Sequence, residues 1–193
     1  MSSDAERLLF PLPTVLVPGA ILGLRVFEAR YLDLVSECSR TGRGFGVCLL
    51  VEDGDAGAGA PPAAHGTEAV IEDFGSGRDG LLTLRVRGRR RFLVLRTRDR
   101  DNGLLVGEVE WLPDDPDDAL RPEHGLLATL LVQLLEQAGG EHAHAPSSCL
   151  DEAAWVGWRL VELLPISDVQ RQALLQEPDS HARLDRLLAL IPE

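Results

Sequence analysis

The sequence predicts an α+β fold in two parts: a β-rich N-terminal subdomain with one inserted helix, residues 7–112, and a helical subdomain, residues 113–193, that begins on an acidic linker. Three observations carry this. Short apolar stretches separated by Gly, Pro and Asn-Gly signals follow one another through the first two-thirds of the chain, the pattern of strands joined by tight turns. Composition changes at Pro113 into the run PDDPDDALRPE. Beyond it, apolar residues recur at three- and four-residue spacing, the period of amphipathic helices. With 193 residues, 45% of them apolar and 26% charged, the chain can bury a substantial core as one domain or two small ones.

Residues 8–17 read as an extended segment. Pro11 and Pro13 each remove a backbone donor, which predicts an edge strand and not a central one. Pro18-Gly19 signals a turn, and 21–26 is a second short strand. A helix is predicted from Glu28 to about Ser39, because Tyr31, Leu34, Val35 and Cys38 form one apolar stripe. Glu28 and Arg40 suit the two ends of its dipole, and Thr41-Gly42 ends it. Residues 45–51 are a strand buried on both faces. Residues 52–65, rich in Gly, Ala and Pro, predict a mobile surface loop. A strand resumes over 66–74 and stops at the turn-rich GSGRDG, 75–80. Residues 81–86 and 91–98 read as antiparallel partners with Gly88 in their connection. In the first of them Leu82, Leu84 and Val86 alternate with Thr83, Arg85 and Arg87, as in a sheet with one wet face. Asp101-Asn102-Gly103 is a hairpin turn, because Asn and Gly tolerate positive φ, and it leads into a strand over 104–111. Seven strands joined by consecutive hairpins favour a barrel-like closure.

The acidic run after Pro113 predicts a flexible, solvated linker. A helix follows over 126–137, then a loop at GGEHAHAPSS, 139–148, and a helix over 151–164 rich in large apolar side chains. Pro165 interrupts it. Ser167 and Gln170 fit a capping box for the next short helix, and a last helix places Leu184, Leu187, Leu188 and Ile191 on one side. Helices this short are marginal alone, which predicts a packed bundle. Trp155 and Trp158 differ by about 60° around their helix; both are expected in the core, with one contributing to the seam between the two parts, and both are candidate binding residues there.

The net charge of −12 repels phosphate backbones and argues against nucleic acid as the main partner. All 19 basic residues are arginine, and eight of them fall in 81–100 beside one acid. Arg85, Arg87, Arg89 and Arg91 are the candidate contacts of this stripe for an acidic or flexible polypeptide. An exposed sheet face with internal ion pairs is the competing expectation. RNA platforms interleave aromatic residues for base stacking, and this window holds only Phe92. Cys38, Cys48 and Cys149 are odd in number and widely spaced, no disulfide framework, which places the chain in a reducing cytoplasm. The N-terminus lacks the basic start and unbroken apolar core of a signal peptide, and no stretch is long enough for a membrane span.

No catalytic constellation emerges. There is no G-x-S-x-G elbow, and without lysine a Ser–Lys dyad is impossible. None of the cysteines has the local context of a catalytic class. His142 and His144, with Glu141 and Cys149 nearby, lack the second pair of a structural zinc site and are expected in a solvated loop. His65, His124 and His181 are expected at the surface. Gly42-x-Gly44-x-Gly46 precedes a strand instead of following one, so it is no phosphate loop. No metal, no cofactor and no enzymatic activity are expected.

The string LLFPLPTVLVPGAILGLRVFEARYLDLVSEC, 8–38, resembles the start of the Lon protease N-terminal, substrate-binding domain. The matching residues include Phe10, Pro11, Leu12, Val15, Leu16, Pro18, Gly19, Leu24, Phe27, Glu28, Arg30 and Tyr31. Phe45-Gly46-Val47, Gly66-Thr67 and Gly88-Arg89-Arg90-Arg91-Phe92 continue the likeness, and 155–191 looks like the helical part of stand-alone members. Gly23 stands where that family often has proline. The resemblance implies a PUA-like β pseudo-barrel with one inserted helix, followed by a C-terminal helical bundle. It implies a non-catalytic polypeptide-binding module, an adaptor or regulator of proteolysis that takes unfolded or flexible polypeptides or a protease or chaperone partner, as a monomer or weak homodimer. In full Lon proteases an ATPase and a Ser–Lys peptidase do the chemistry, and this chain is expected to have neither. Within the motif, Pro18-Gly19 sets the turn, Phe27 and Tyr31 anchor the helix one turn apart, and Glu28 and Arg30 tie its start to neighbouring backbone or to the arginine stripe. These roles are mainly structural. The alternative reading is an RNA-binding PUA-like protein that uses the basic stripe 85–100; a small-molecule pocket between the two parts is a third.

Overall fold

The computed structural model describes residues 4–51 and 61–192. The chain divides into two compact units, Met1–Pro113 and Asp114–Glu193. The first unit is built from strands β1 (Glu6–Leu12), β2 (Ile21–Val26), β3 (Phe45–Leu49), β4 (His65–Ser76), β5 (Leu82–Asp99) and β6 (Leu105–Trp111), with helix α1 (Ala29–Thr41) after β2. They form one six-stranded sheet in the order β2-β5-β4-β3-β1-β6. β5 also pairs with β6, so five strands close into a ring and β2 extends the first half of β5. Only β1 and β3 run parallel; the other pairings are antiparallel. The mixed α+β class read from the sequence is the observed one.

Three expectations for this unit need correction. Residues 81–86 and 91–98 are not two hairpin partners but parts of the single 18-residue strand β5, so the strands among the described residues number six. Gly88 marks a close approach and not a turn. Its N–H donates to the Ala20 carbonyl and its own carbonyl accepts from Gly19 N–H, each at 2.9 Å. A Cβ at this position would stand 2.2 Å from the Val17 carbonyl oxygen, so only glycine lets the β1–β2 connection cross here. β1 is not an edge strand either, since it lies between β3 and β6. Pro11 is tolerated because the β6 ladder begins at Leu105, opposite Leu9, and nothing of β6 stands opposite the proline. The expected buried strand over 45–51 ends at Leu49, and Leu50 and Val51 are exposed. The expected mobile loop falls largely outside the described residues.

The helix is set by local chemistry. Glu28 is its N-cap residue, in extended conformation, and Gly42 caps the other end in the left-handed region at φ 70°, where glycine carries no Cβ penalty. Leu34, Val35 and Cys38 are buried along one face. Inside the ring, Leu9, Cys48, Phe92 and Val109 form a core cluster against Val94, Leu105 and Trp111.

The second unit holds helices α2 (Gly125–Ala138), α3 (Ala153–Leu163), α4 (Asp168–Gln176) and α5 (Ser180–Leu190). The capping box of Ser167 and Gln170 is present, and Asp179 caps α5 by accepting from His181 and Ala182 N–H. The acidic run is not a solvated linker. Asp115 accepts from Trp158 Nε1 at 2.6 Å, Arg183 at 3.1 Å and Ser180 Oγ at 3.3 Å, and Ala119 bridges to Glu152. The buried Arg183 attracts a carboxylate because an unpaired guanidinium in a core is costly. His124 and His181 are likewise buried, their rings stacked with centroids 6.0 Å apart. His65 is half-buried in β4. The GGEHAHAPSS loop forms two short 3₁₀ turns, and His142 packs its ring nitrogen against Arg159 at 2.6 Å.

Candidate functional site

The first unit carries a groove of about 780 Å³. Its aromatic floor is built from the ends of β1 and α1. Phe10 and Tyr31 stack nearly parallel, ring centroids 3.9 Å apart, and Phe10 leans in turn on Phe45. The wall from β2 is Leu24, Arg25 and Val26. Opposite it stand Pro11, Leu12 and Pro13, together with Leu50, Pro61 and Pro62. Thr97 and Asp99 of β5, Gly103 and Leu105 complete the lining.

Phe27 is the group that most distinguishes this surface. It sits between the last residue of β2 and the N-cap Glu28, where strand alternation sends neighbouring side chains to opposite sides. Val26 therefore goes inside, 2% exposed, and Phe27 goes outside, 66% exposed. This overturns the expectation that Phe27 and Tyr31 anchor the helix together; Tyr31 alone does so, through Phe10. A large apolar ring left in water beside an apolar groove is a place where a partner gains by covering it. The polar rim is preorganised. Arg30 holds the Glu28 carboxylate at 2.9 Å, reaches the Gly103 carbonyl at 3.4 Å and lies over the Tyr31 ring at 4.7 Å. Arg25 pairs with Asp79. Burial raises the Tyr31 phenol above its ordinary pKa, so it stays neutral.

Of the twelve matching residues in 8–38, Phe10, Pro11, Leu12, Leu24, Phe27, Glu28, Arg30 and Tyr31 line this groove. Pro18 and Gly19 set the turn as expected, with Gly19 at φ 78° and Ala20 N–H donating to the Val17 carbonyl at 3.1 Å. The sequence makes most of them structural; the structure brings eight of them to one surface. Leu50, Pro61, Pro62 and Leu105 lie outside the matched motif, and no pattern in the sequence marks them for this surface.

The arginine stripe is a different surface from the one expected. Arg91 is buried, while Arg85 and Arg89 are exposed, so the four do not form one open row. Glu72 lies between Arg85, at 3.9 Å, and Arg87, which hydrogen-bonds it. That hydrogen bond holds the Glu72 carboxyl below its ordinary pKa. Further along, Arg96 pairs with Glu108 at 3.1 Å, Arg98 with Glu6 at 3.4 Å and Arg100 with Glu37 at 2.7 Å. Arg90 stacks on Trp111, 3.8 Å from its ring centroid. Arg85, Arg87, Arg90, Arg96, Arg98 and Arg100 are thus matched by acids from β1, β4, β6 and α1. In the second unit Trp158 is core, with the Arg183 guanidinium 3.6 Å over its ring. Trp155 is half-buried, edge-on to His142.

The groove is lined mainly by apolar and aromatic side chains. Its described lining contains no serine, cysteine or histidine. Cys38 and Cys48 lie elsewhere, their thiols pushed up by burial to about 11 and about 12, where a thiol behaves as a small hydrophobe. Among the described residues no group of His, Cys, Asp or Glu could hold a metal ion, and no helix is long and apolar enough to cross a membrane.

Comparison with known proteins bears on what the surface is for. The family model of the ATP-dependent protease La (LON) substrate-binding domain matches residues 6–193. The chain is similar to a Lon N-terminal domain protein from Xanthomonas campestris seen in a crystal structure. The two are 59% identical with a TM-score of 0.82, over 97% of this chain and 99% of that one. The N-terminal domain of a Mycobacterium avium complex Lon protease shares the fold, at 19% identity and a TM-score of 0.69, over 95% of this chain and 96% of that one. No curated protein matches the chain.

Proposed function

Since the chain belongs to the family of the ATP-dependent protease La (LON) substrate-binding domain, we propose that it is a non-catalytic module that grips extended polypeptide in the groove at Phe27. The observation that carries the reading is the exposed Phe27 ring beside the stacked Phe10–Tyr31 floor. Such a surface rewards an unfolded segment that presents apolar side chains, and it rewards a folded, polar surface little. Ion pairs occupy much of the arginine stripe, which supports the groove over the stripe as the contact. The module then serves as an adaptor or regulator of proteolysis, in a reducing cytoplasm that suits its three free thiols, as a monomer or weak homodimer. The closed ring of five strands supports the finer reading of a PUA-like pseudo-barrel.

RNA binding is the lesser reading, since the window that suggested it is laced with ion pairs. One titration separates the two. Fluorescence anisotropy of the purified chain with a labelled, reduced and carboxymethylated test protein should saturate, with little loss of affinity between low and high salt. Binding to labelled RNA with a steep salt dependence, and none to polypeptide, would reject the proposal.

A further inference from the structure

The backbone of β2 has a defined parity. The Gly88 N–H donates to the Ala20 carbonyl, so Leu22, Leu24 and Val26, at the same parity, turn their backbone groups toward β5. They stand opposite Val86, Leu84 and Leu82 in an unbroken antiparallel register. The N–H and C=O groups of Ile21, Gly23 and Arg25 therefore point away from β5. β2 is at one end of the sheet order, and among the described residues no strand or loop backbone hydrogen-bonds that outer side. An open row of donors and acceptors of this kind is a template for another extended chain.

The usual ways of blunting such an edge are weak here. The strand holds no proline, its register has no bulge, and its one charge, Arg25, is paired with Asp79. At its centre stands Gly23, where even an added Cβ would meet nothing within 4 Å. The same strand supplies Leu24, Arg25 and Val26 to the groove wall, so the free edge is continuous with the apolar surface.

We infer that an extended client segment binds by adding to the free edge of β2 as a further strand, hydrogen-bonding Ile21, Gly23 and Arg25. Its backbone is recognised by the edge and its alternate side chains by the groove at Phe27. This rests on the polypeptide reading of the groove and specifies its chemistry: the occupant must be extended and must offer free amide N–H groups, whatever its sequence. Backbone hydrogen bonds supply affinity without sequence preference, and the alternating pockets supply a taste for apolar residues at every second position.

The test uses peptides of 13 or so residues, about the span of a strand and its flanks, tiled through the carboxymethylated test protein and labelled with fluorescein. The tightest binder is resynthesised with single backbone N-methyl groups at each position. Alternate positions over the central segment should lose affinity about tenfold or more, with the intervening positions tolerant, because only one parity donates to β2. Gly23→Pro in the full chain, which removes a donor aimed away from β5, should weaken the same peptide about tenfold, and Gly23→Ala should leave it unchanged. Should Gly23→Pro fail to fold, the N-methyl scan decides. Affinity that ignores N-methylation while Phe27→Ala abolishes it would overturn this inference and leave the groove reading standing. No peptide binding at all would overturn both. A chain that dimerises through β2 without peptide competition would assign the edge to a second copy instead.

Discussion

Replacing Phe27 with alanine separates binding from stability more cleanly than any other change in the molecule. A phenylalanine side chain offers roughly 200 Å² of surface, and at 66% exposure about 130 Å² of it remains in water. Covered completely by a client, that area is worth about 3 kcal/mol at ~25 cal/mol per Å²; covered by half, about 1.5 kcal/mol. Phe27→Ala should therefore weaken peptide binding by about ten- to hundredfold. Because the ring contributes little to the core, the urea midpoint should move by less than about 0.5 kcal/mol equivalent. Fluorescence anisotropy with a fixed unfolded peptide gives the first number and urea unfolding followed by tryptophan emission gives the second. Unchanged affinity would remove Phe27 from the site. A stability loss above about 1.5 kcal/mol would mean the ring packs as a core residue, and the surface argued here would be wrong.

Other residues give sharper structural tests. Gly88→Ala forces a Cβ within 2.2 Å of a backbone carbonyl that is pinned on both sides; it should cost about 3 kcal/mol or more in urea unfolding, and a near-neutral result would mean β5 does not run unbroken past this point. Asp115→Ala strips the carboxylate from the fully buried Arg183 and should cost about 3 kcal/mol, read from the unfolding midpoint by Trp158 fluorescence; a loss under about 1 kcal/mol would restore the acidic run to a mere tether. The hydrogen bond from Arg100 holds Glu37 below its ordinary pKa of 4.5. A depressed carboxylate stabilises the fold fully above 4.5 and loses that contribution as pH falls through the lower folded value. Glu37→Gln should thus flatten the acid limb of a stability–pH curve without altering its neutral plateau shape, and an unchanged acid limb would refute the coupling.

What was legible in the sequence was local. The bounds of β2, the Gly42 stop of α1, the Asn102-Gly103 hairpin and the Ser167–Gln170 capping box all depend on residues a few positions apart. What was not legible depends on distant partners. Glycine signals both a turn and a close approach, and Gly88 is the second because a carbonyl some seventy residues earlier in the chain crosses over it. A proline advertises a lost donor, but whether that matters at Pro11 is decided by where β6 begins. Asp115 looks like one acid among several until Arg183, 68 residues on, is folded beside it. His124 and His181 look like surface residues in the sequence for the same reason: each is polar by type, and only packing buries it. The motif itself was readable as a string. Its conversion into a surface was not, because the side on which Phe27 emerges follows from how Val26 enters the core.

The most direct measurement is amide chemical-shift mapping of the isotope-labelled chain during titration with a bound unfolded peptide. Saturable shifts gathered at Phe10 and over residues 21–31, with the arginines of 85–91 quiet, are the expected result. Shifts that gather on those arginines, or that fail to appear anywhere at saturating peptide, contradict it.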